Sequence, residues 1–303
     1  MHIYPFSHMQ CTSHFHTVTY LNAEVEHYRR GRDSPARTGG ALFWMLDDNW
    51  PAPSWTSLEY GGRRKLLHYE AGRFYSPVAI SSYCLPSIEK CTSVSIHIAS
   101  DLTTPLPKGA VLRVNMTKWA DGASKVVASY PVEIGAQSGV SVTLDAAQFA
   151  SGLAAAGCVN VSDCFVTTRL VAPHASQERE PESEVTLAPD NYQWLTLWRD
   201  AHLPRASLSI QTTSTGTKSN GDIEVTITSD HVAPSVMVHY ADPDDFGWFS
   251  DNGLLVLPGA SVKITFTPRP RMSDGGNRVE ANAGARQISD KSFYAVSING
   301  ASF

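Results

Sequence analysis

A chain of 303 residues with 42% hydrophobic and 17% charged residues holds enough apolar material for two or three globular domains, each with its own core. The formal net charge of -5, with Lys and Arg scattered apart from Arg29-Arg30 and Arg63-Arg64-Lys65, offers no basic field to a phosphate backbone, so nucleic acid is not an expected partner. No run approaches the ~18 apolar residues that cross a bilayer, and Met1-His2-Ile3-Tyr4-Pro5 lacks a basic stretch followed by an apolar one, so neither a membrane span nor a signal peptide is read here.

At the start of the chain His8, His14 and His16 have no Cys, Asp or Glu that completes a recognised ligand spacing, and no metal or other cofactor is expected. From Tyr20 to Arg30 the spacing of Leu21, Val25 and Tyr28 predicts an amphipathic helix whose basic end suits the helix dipole. After Gly39-Gly40, the run Ala41-Leu42-Phe43-Trp44-Met45-Leu46 has the length and apolar continuity of a parallel strand buried on both faces. A Pro- and Trp-rich loop, Asp47–Gly62, leads to a second predicted helix over Arg63–Tyr75, where Leu67, Ala71 and Phe74 share one face and Pro77 stops the helix. Helix, buried strand, long loop, helix is the rhythm of an α/β barrel, in which the loop after a strand lies on the active-site face.

From Val78 the texture changes to short alternating runs: Val94, Ile96 and Ile98; Leu112 and Val114; Val140, Val142 and Leu144; Val166, Thr168 and Leu170. With turn residues between them, these predict an antiparallel sandwich. The charge-dense Ala175–Glu184 reads as a linker. Alternation resumes at Leu208 and Ile210; Ile223, Val225 and Ile227; Val236 and Val238; Val262, Ile264 and Phe266, which predicts a second sandwich. Asp251-Asn252-Gly253 reads as a hairpin turn, because Asn-Gly supplies positive φ angles. Asp242-Pro243-Asp244-Asp245 misses the EF-hand pattern and reads as a turn. Of five cysteines, Cys84 with Cys91 and Cys158 with Cys164 are locally spaced, and the second pair brackets the sequon Asn160-Val161-Ser162; a further sequon begins at Asn115. These features point to an oxidising, glycosylating compartment and, with no leader present, to a natural N-terminus upstream. A cytoplasmic location is the alternative.

The segment Gly40-Ala41-Leu42-Phe43-Trp44-Met45-Leu46-Asp47-Asp48-Asn49-Trp50-Pro51-Ala52-Pro53-Ser54-Trp55, with Leu58-Glu59-Tyr60-Gly61-Gly62-Arg63 and Lys65-Leu66-Leu67-His68-Tyr69, resembles the last barrel strand and helix of the β-mannosidases of glycoside hydrolase family two. Asp190-Asn191-Tyr192, Val232-Ala233-Pro234 and Phe249-Ser250-Asp251-Asn252-Gly253 resemble the C-terminal immunoglobulin-like domain of the same family. The implied fold is mainly β. Residues 1–78 would be the C-terminal end of a (β/α)8 barrel, its last strand and flanking helices, followed by two immunoglobulin-like antiparallel β-sandwich domains over 79–185 and 186–303.

The family removes terminal non-reducing β-D-mannose with retention, which needs two carboxyl groups about 5 Å apart. The resemblance places both glutamates on upstream barrel strands; Met1–Thr19 contains no glutamate. No catalytic residue is therefore assigned in this chain, and its expected partners are a β-mannoside oligosaccharide or N-glycan core substrate and the missing N-terminal part of the same enzyme. By the motif Trp44 is the aromatic floor of the mannose subsite, joined by Asp48, Trp50 and Trp55 as substrate-binding residues, and the Trp44–Met45 peptide is cis. Asp47-Asp48 stands in place of the commoner Asn-Asp, and Arg64 in place of the usual tryptophan. The alternative is a non-catalytic carbohydrate-binding or partner-binding β-sandwich module.

Overall fold

The computed structural model describes residues 18–33, 35, 37–50, 54–173, 184–214, 221–241, 246–269 and 288–302. The amino-terminal histidines, Cys11, the acidic turn at 242–245 and most of the 175–184 linker lie outside them. The described chain forms two compact units, one of Leu21–Leu42 with Ala71–Leu203, the other joining Phe43–Glu70 to Pro204–Phe303.

The two predicted helices are present. Helix α1 spans 18–30, buries Val25 and ends at Gly31; α2 is Leu66–Phe74. The basic end of α1 has a specific task. Arg29 donates to the carbonyls of Phe74 (2.6 Å) and Ser76 (2.8 Å), carbonyls at the end of α2 that the helix itself leaves unpaired, and pairs with Asp101 at 2.8 Å.

The Ala41–Leu46 run is not a strand. It is irregular, and Leu42, Trp44 and Leu46 are 97%, 76% and 59% exposed. A strand forms only where a neighbour completes its ladder, and no described strand lies beside this run. The Trp44–Met45 peptide is cis.

The unit of Leu21–Leu42 and Ala71–Leu203 holds β1 (Val78–Leu85), β2 (Ser93–Ser100), β3 (Val111–Lys118), β4 (Ser124–Pro131), β5 (Gly139–Leu144), helix α3 (Ala146–Ala156), β6 (Cys164–Pro173), β7 (Glu184–Thr186) and β8 (Asn191–Trp194). One antiparallel sheet has the order β1-β2-β5; the other runs β4-β3-β6-β7, with β8 also paired to β6. Alternate residues of each strand face one shared core: Ile96, Ile98, Leu112, Val114, Met116, Leu144, Val166 and Leu170 are wholly buried. The outer face of β2 is covered as well, so Ser95 and His97 are buried where alternation leads one to expect exposure. Arg32 and Asp33, just beyond α1, reach that face, at the Ser100 carbonyl and His97 respectively. The pairings of β7 and β8 carry this sandwich to Trp194, past the expected limit at 185. Asp190-Asn191-Tyr192, which resembles the terminal domain, thus lies on the first sandwich.

The other unit holds β9 (Ala206–Ser214), β10 (Ile223–Ser229), β11 (Ala233–Tyr240), β12 (Phe246–Phe249), β13 (Leu254–Val256), β14 (Ser261–Arg269), β15 (Phe293–Ser297) and β16 (Gly300–Ser302). The order is β12-β14-β10-β9-β16-β15-β11-β13, all antiparallel except the short β16–β9 pair. Tyr240, Phe249, Phe266 and Phe293 make an aromatic core with ring centroids 4.9–6.0 Å apart.

The sequence Asp251-Asn252-Gly253 is not a hairpin turn. The strands on either side do not pair with each other: β12 pairs with β14 and β13 with β11. Only Gly253 has a positive φ (69°), and Asn252 is buried. The Asn252 side chain accepts from the Val238 N–H at 2.7 Å and donates to the Val238 carbonyl at 2.9 Å. Val236 pairs with Leu254, so the antiparallel register next sets Val238 opposite Asn252, and the side-chain amide completes the ladder in place of a peptide.

Candidate functional site

The loop expected to carry chemistry folds on two short backbone bridges. Asp47 bridges to Leu58 in parallel, and Leu58 bridges to Arg64 antiparallel. The Leu46 carbonyl accepts from Ser57 N (3.0 Å), Leu58 N (2.9 Å) and Ser57 Oγ (2.8 Å), while Asp48 N donates to the Leu58 carbonyl and Lys65 N to that of Ser57. Between Glu59 and Arg63 the chain reverses at Gly61 and Gly62, whose φ angles of 99° and 90° exclude most side chains.

Inside this frame lies a closed polar cluster. The side chains of Lys65 and Asp48 are only 3% and 6% exposed and pair at 2.8 Å. Lys65 Nζ also donates to Thr56 Oγ1 at 2.7 Å and points at Ser54 O and Oγ, each at 3.4 Å. The Ser54 hydroxyl donates to the other Asp48 oxygen, and the Thr56 hydroxyl donates to the Leu58 carbonyl at 2.8 Å. Burial opposes the charge on Asp48, but hydrogen bonds from Lys65 and Ser54 and the Lys65 charge outweigh it and hold the carboxyl below its ordinary range. Nearby Glu59 is shifted the other way: burial pushes its pKa up against the pull of Arg63 and Lys65, with the Asp48 charge adding to the rise.

The assigned site residues therefore differ in kind. Trp44, Trp50 and Trp55 are 76%, 66% and 58% exposed, open to a ligand; Asp48 is buried with both oxygens engaged by the protein. Arg64 lies over the Trp248 ring at 4.7 Å, so a planar cation stacks on an indole at the position where the motif usually has a tryptophan. Tyr69 is hydrogen-bonded to the Asn252 side chain and to the Phe249 backbone, joining α2 to the buried amide between β12 and β13.

Other carboxylates of the segment are tied into local structure. Glu24 accepts from Tyr28 at 3.3 Å, Glu26 accepts from Asn191 and lies 3.7 Å from Arg30, and Glu59 lies 3.9 Å from Arg63. Among the described residues no group of three or more His, Cys, Asp or Glu could hold a metal ion, and no helix is long and apolar enough to cross a membrane. Cys84–Cys91 and Cys158–Cys164 are disulfide-bonded. Asn160 is exposed in the loop closed by the second bridge, whereas Asn115 lies half-buried in the middle of β3 between β4 and β6, its Oδ1 buried without a hydrogen-bond partner.

Comparison with known proteins bears on what this loop belongs to. Residues 203–290 match the Ig_mannosidase family, an Ig-fold domain. A β-mannosidase of Capra hircus is 32% identical over 256 residues, 82% of this chain and 26% of that protein. By these likenesses the chain is a relative of the β-mannosidases. β-Mannosidase A of Aspergillus niger is 27% identical over 285 residues, 90% of this chain and 28% of the relative. The chain thus spans about a quarter of the length of the curated relatives it matches. The crystal structure of a β-D-mannosidase from Dictyoglomus thermophilum superposes on 93% of this chain and 29% of its own, with a TM-score of 0.62 and 16% identity, a likeness of fold alone. These relatives make the chain a glycosidase-family sequence with an Ig-fold terminal domain.

Sequence reasoning missed Lys65. It reads Arg63-Arg64-Lys65 as one basic run, yet Lys65 and Tyr69, four residues apart, are both buried, while Arg63 and Arg64 are half-exposed. The signal that distinguishes them is position: Lys65 directly precedes Leu66-Leu67, the start of the buried face of α2.

Proposed function

We propose that the chain is the C-terminal part of a retaining exo-β-mannosidase acting on β-mannoside oligosaccharides or N-glycan cores. On this reading residues 1–78 complete a (β/α)8 barrel, a first sandwich follows from 79, and the immunoglobulin-like domain begins near Pro204. Both catalytic glutamates lie on barrel strands outside this chain, which by itself is inactive. The observation that carries the reading is the Ala41–Leu46 run with the loop after it: a pinned segment with three exposed indoles, Trp44, Trp50 and Trp55, in a chain 27–32% identical to the β-mannosidases named above. Flat apolar rings suit the C–H face of a pyranose. The exposure of Leu42 and Leu46 supports the same reading, because an apolar run of this kind is stable only when other strands flank it. Two disulfides and an exposed sequon at Asn160 support a secreted or lysosomal setting.

The test is release of 4-nitrophenol from 4-nitrophenyl β-D-mannopyranoside by the full-length chain with a complete barrel, beside the 303-residue chain. Activity in the full-length chain only is the expected result. Hydrolysis by the shorter chain, with contaminating enzyme excluded, would overturn the placing of the glutamates. Preference of the full-length chain for a galactoside, glucuronide or glucosaminide would overturn the substrate class.

A further inference from the structure

We propose that Lys65 is a positioning residue for the sugar subsite and that Asp48 serves Lys65, not the substrate; this rests on the β-mannosidase reading above. An ammonium has three N–H donors and no acceptor. All three are directed inward: one to Asp48 Oδ2 at 2.8 Å, one to Thr56 Oγ1 at 2.7 Å, and one toward Ser54 at 3.4 Å. The second Asp48 oxygen takes the Ser54 hydroxyl, and the Thr56 hydroxyl is spent on the Leu58 carbonyl. The cluster is complete within the protein, and a sugar hydroxyl could enter it only by breaking one of these bonds.

What the clamp holds is the segment that carries the indoles. Trp55 stands between Ser54 and Thr56, both bonded to Lys65; Trp50 is two residues beyond Asp48. The Leu46 carbonyl, with three donors from Ser57 and Leu58, extends the restraint to within two residues of Trp44. A buried ion pair adds little net stability over an apolar pair of similar shape, because desolvation offsets the attraction. Its contribution here is directional: one cation at the base of α2 fixes three points of a loop that has no regular secondary structure of its own.

The experiment uses full-length wild type and the variants Lys65→Met, Asp48→Asn, Lys65→Arg and the double variant Asp48→Asn/Lys65→Met. kcat and KM for 4-nitrophenyl β-D-mannopyranoside are measured per folded molecule well below each melting temperature, and hydrogen exchange is followed at the amides of Asp48, Ser57, Leu58 and Lys65. A loop displaced by an ångström or so lowers kcat/KM by about 10²-fold. Each single Met or Asn variant is expected to fall by about that factor, the double variant to fall no further than either, and Lys65→Arg to recover part of the loss. The four amides should exchange faster in Lys65→Met while those of β3 and β10 stay protected. If Lys65→Met does not fold, the double variant, which leaves no unpaired buried charge, is expected to fold with the same loss of kcat/KM and the same local exchange. A double variant reduced by the product of the two single factors would mean that Asp48 acts on the sugar independently and would overturn the proposal, as would unchanged exchange or unchanged kcat/KM. A wild-type enzyme inactive on β-mannosides, with the exchange pattern as expected, would instead sink the function and leave the clamp standing.

Discussion

Replacing Asn252 tests the most specific contact in the C-terminal sandwich. In Asn252→Ala the buried N–H and C=O of Val238 lose partners at 2.7 and 2.9 Å, and neither can turn to water. Leaving a buried polar group unpaired costs about 1–3 kcal/mol, so the two together, allowing for partial relaxation, should cost about 3 kcal/mol. For a unit of roughly 100 residues this is a fall in Tm of about 12–24 °C, readable by calorimetry or circular dichroism. Asn252→Asp separates the hydrogen-bond account from simple packing. The new carboxylate still accepts from Val238 N–H but sets a negative oxygen against the Val238 carbonyl, so its protonated form is favoured in the fold. A raised folded pKa means that the folded state binds more protons than the unfolded one, and this variant should gain stability as pH falls, opposite to the usual carboxylate. A loss below about 1 kcal/mol in Asn252→Ala, or an Asn252→Asp variant indifferent to pH, would refute the ladder-completing role.

Three further outcomes follow from particular contacts. In Gly300→Ala the added Cβ would lie 1.9 Å from the Ala206 carbonyl oxygen across the parallel β16–β9 pair; overpacking of this kind should cost about 3 kcal/mol in thermal unfolding, and a tolerated alanine would show that the pair is dispensable. His97 is held neutral: burial pushes its pKa below 6.5, Arg30 and Arg29 push the same way, and Asp33, 4.0 Å from Nε2, opposes them. Since the folded state then binds fewer protons than the unfolded one, the stability tied to His97 is complete above pH 6.5 and is lost as pH falls from there toward the lowered folded value; urea midpoints at neutral and acid pH should converge in His97→Gln relative to wild type. Expressed in a glycosylating host, the chain should bear a glycan at Asn160 and none at Asn115, because the first is exposed in a loop and the second sits half-buried between paired strands; peptide mass spectrometry decides, and occupancy of Asn115 would contradict the described β3.

Local pattern was a faithful guide where the partner is supplied by the same pattern. Val94, Ile96 and Ile98 alternate because β1 and β5 lie on either side and a hydrophobic sheet faces them, and the helices around Val25 and Leu67 need only an apolar stripe. Pattern misled where a distant partner decides. The Ala41–Leu46 run has the composition of a central strand but no described ladder beside it, and Asn252-Gly253 has turn chemistry that yields to hydrogen bonds with the Val238 backbone across the sheet. The Asp48–Lys65 pair could not be read from the sequence either: seventeen positions separate the two, and no spacing rule connects an aspartate in a loop with a lysine at the base of a helix.

That pairing alters how sugar recognition is divided on the proposed reading. With Asp48 engaged by Lys65 and Ser54, the loop offers a pyranose mainly indole faces, which grip the C–H side of the ring but scarcely distinguish one hydroxyl configuration from another. Discrimination between epimeric sugars requires hydrogen bonds whose loss leaves a buried group unpaired. Among Trp44, Asp48, Trp50 and Trp55 no free buried acceptor or donor serves that purpose. The hydroxyl-reading groups must then be residues other than these four. Substitutions of the indoles in the full-length enzyme should accordingly weaken all β-glycosides by similar factors, whereas the preference for mannose should be altered by substitutions of groups other than these four.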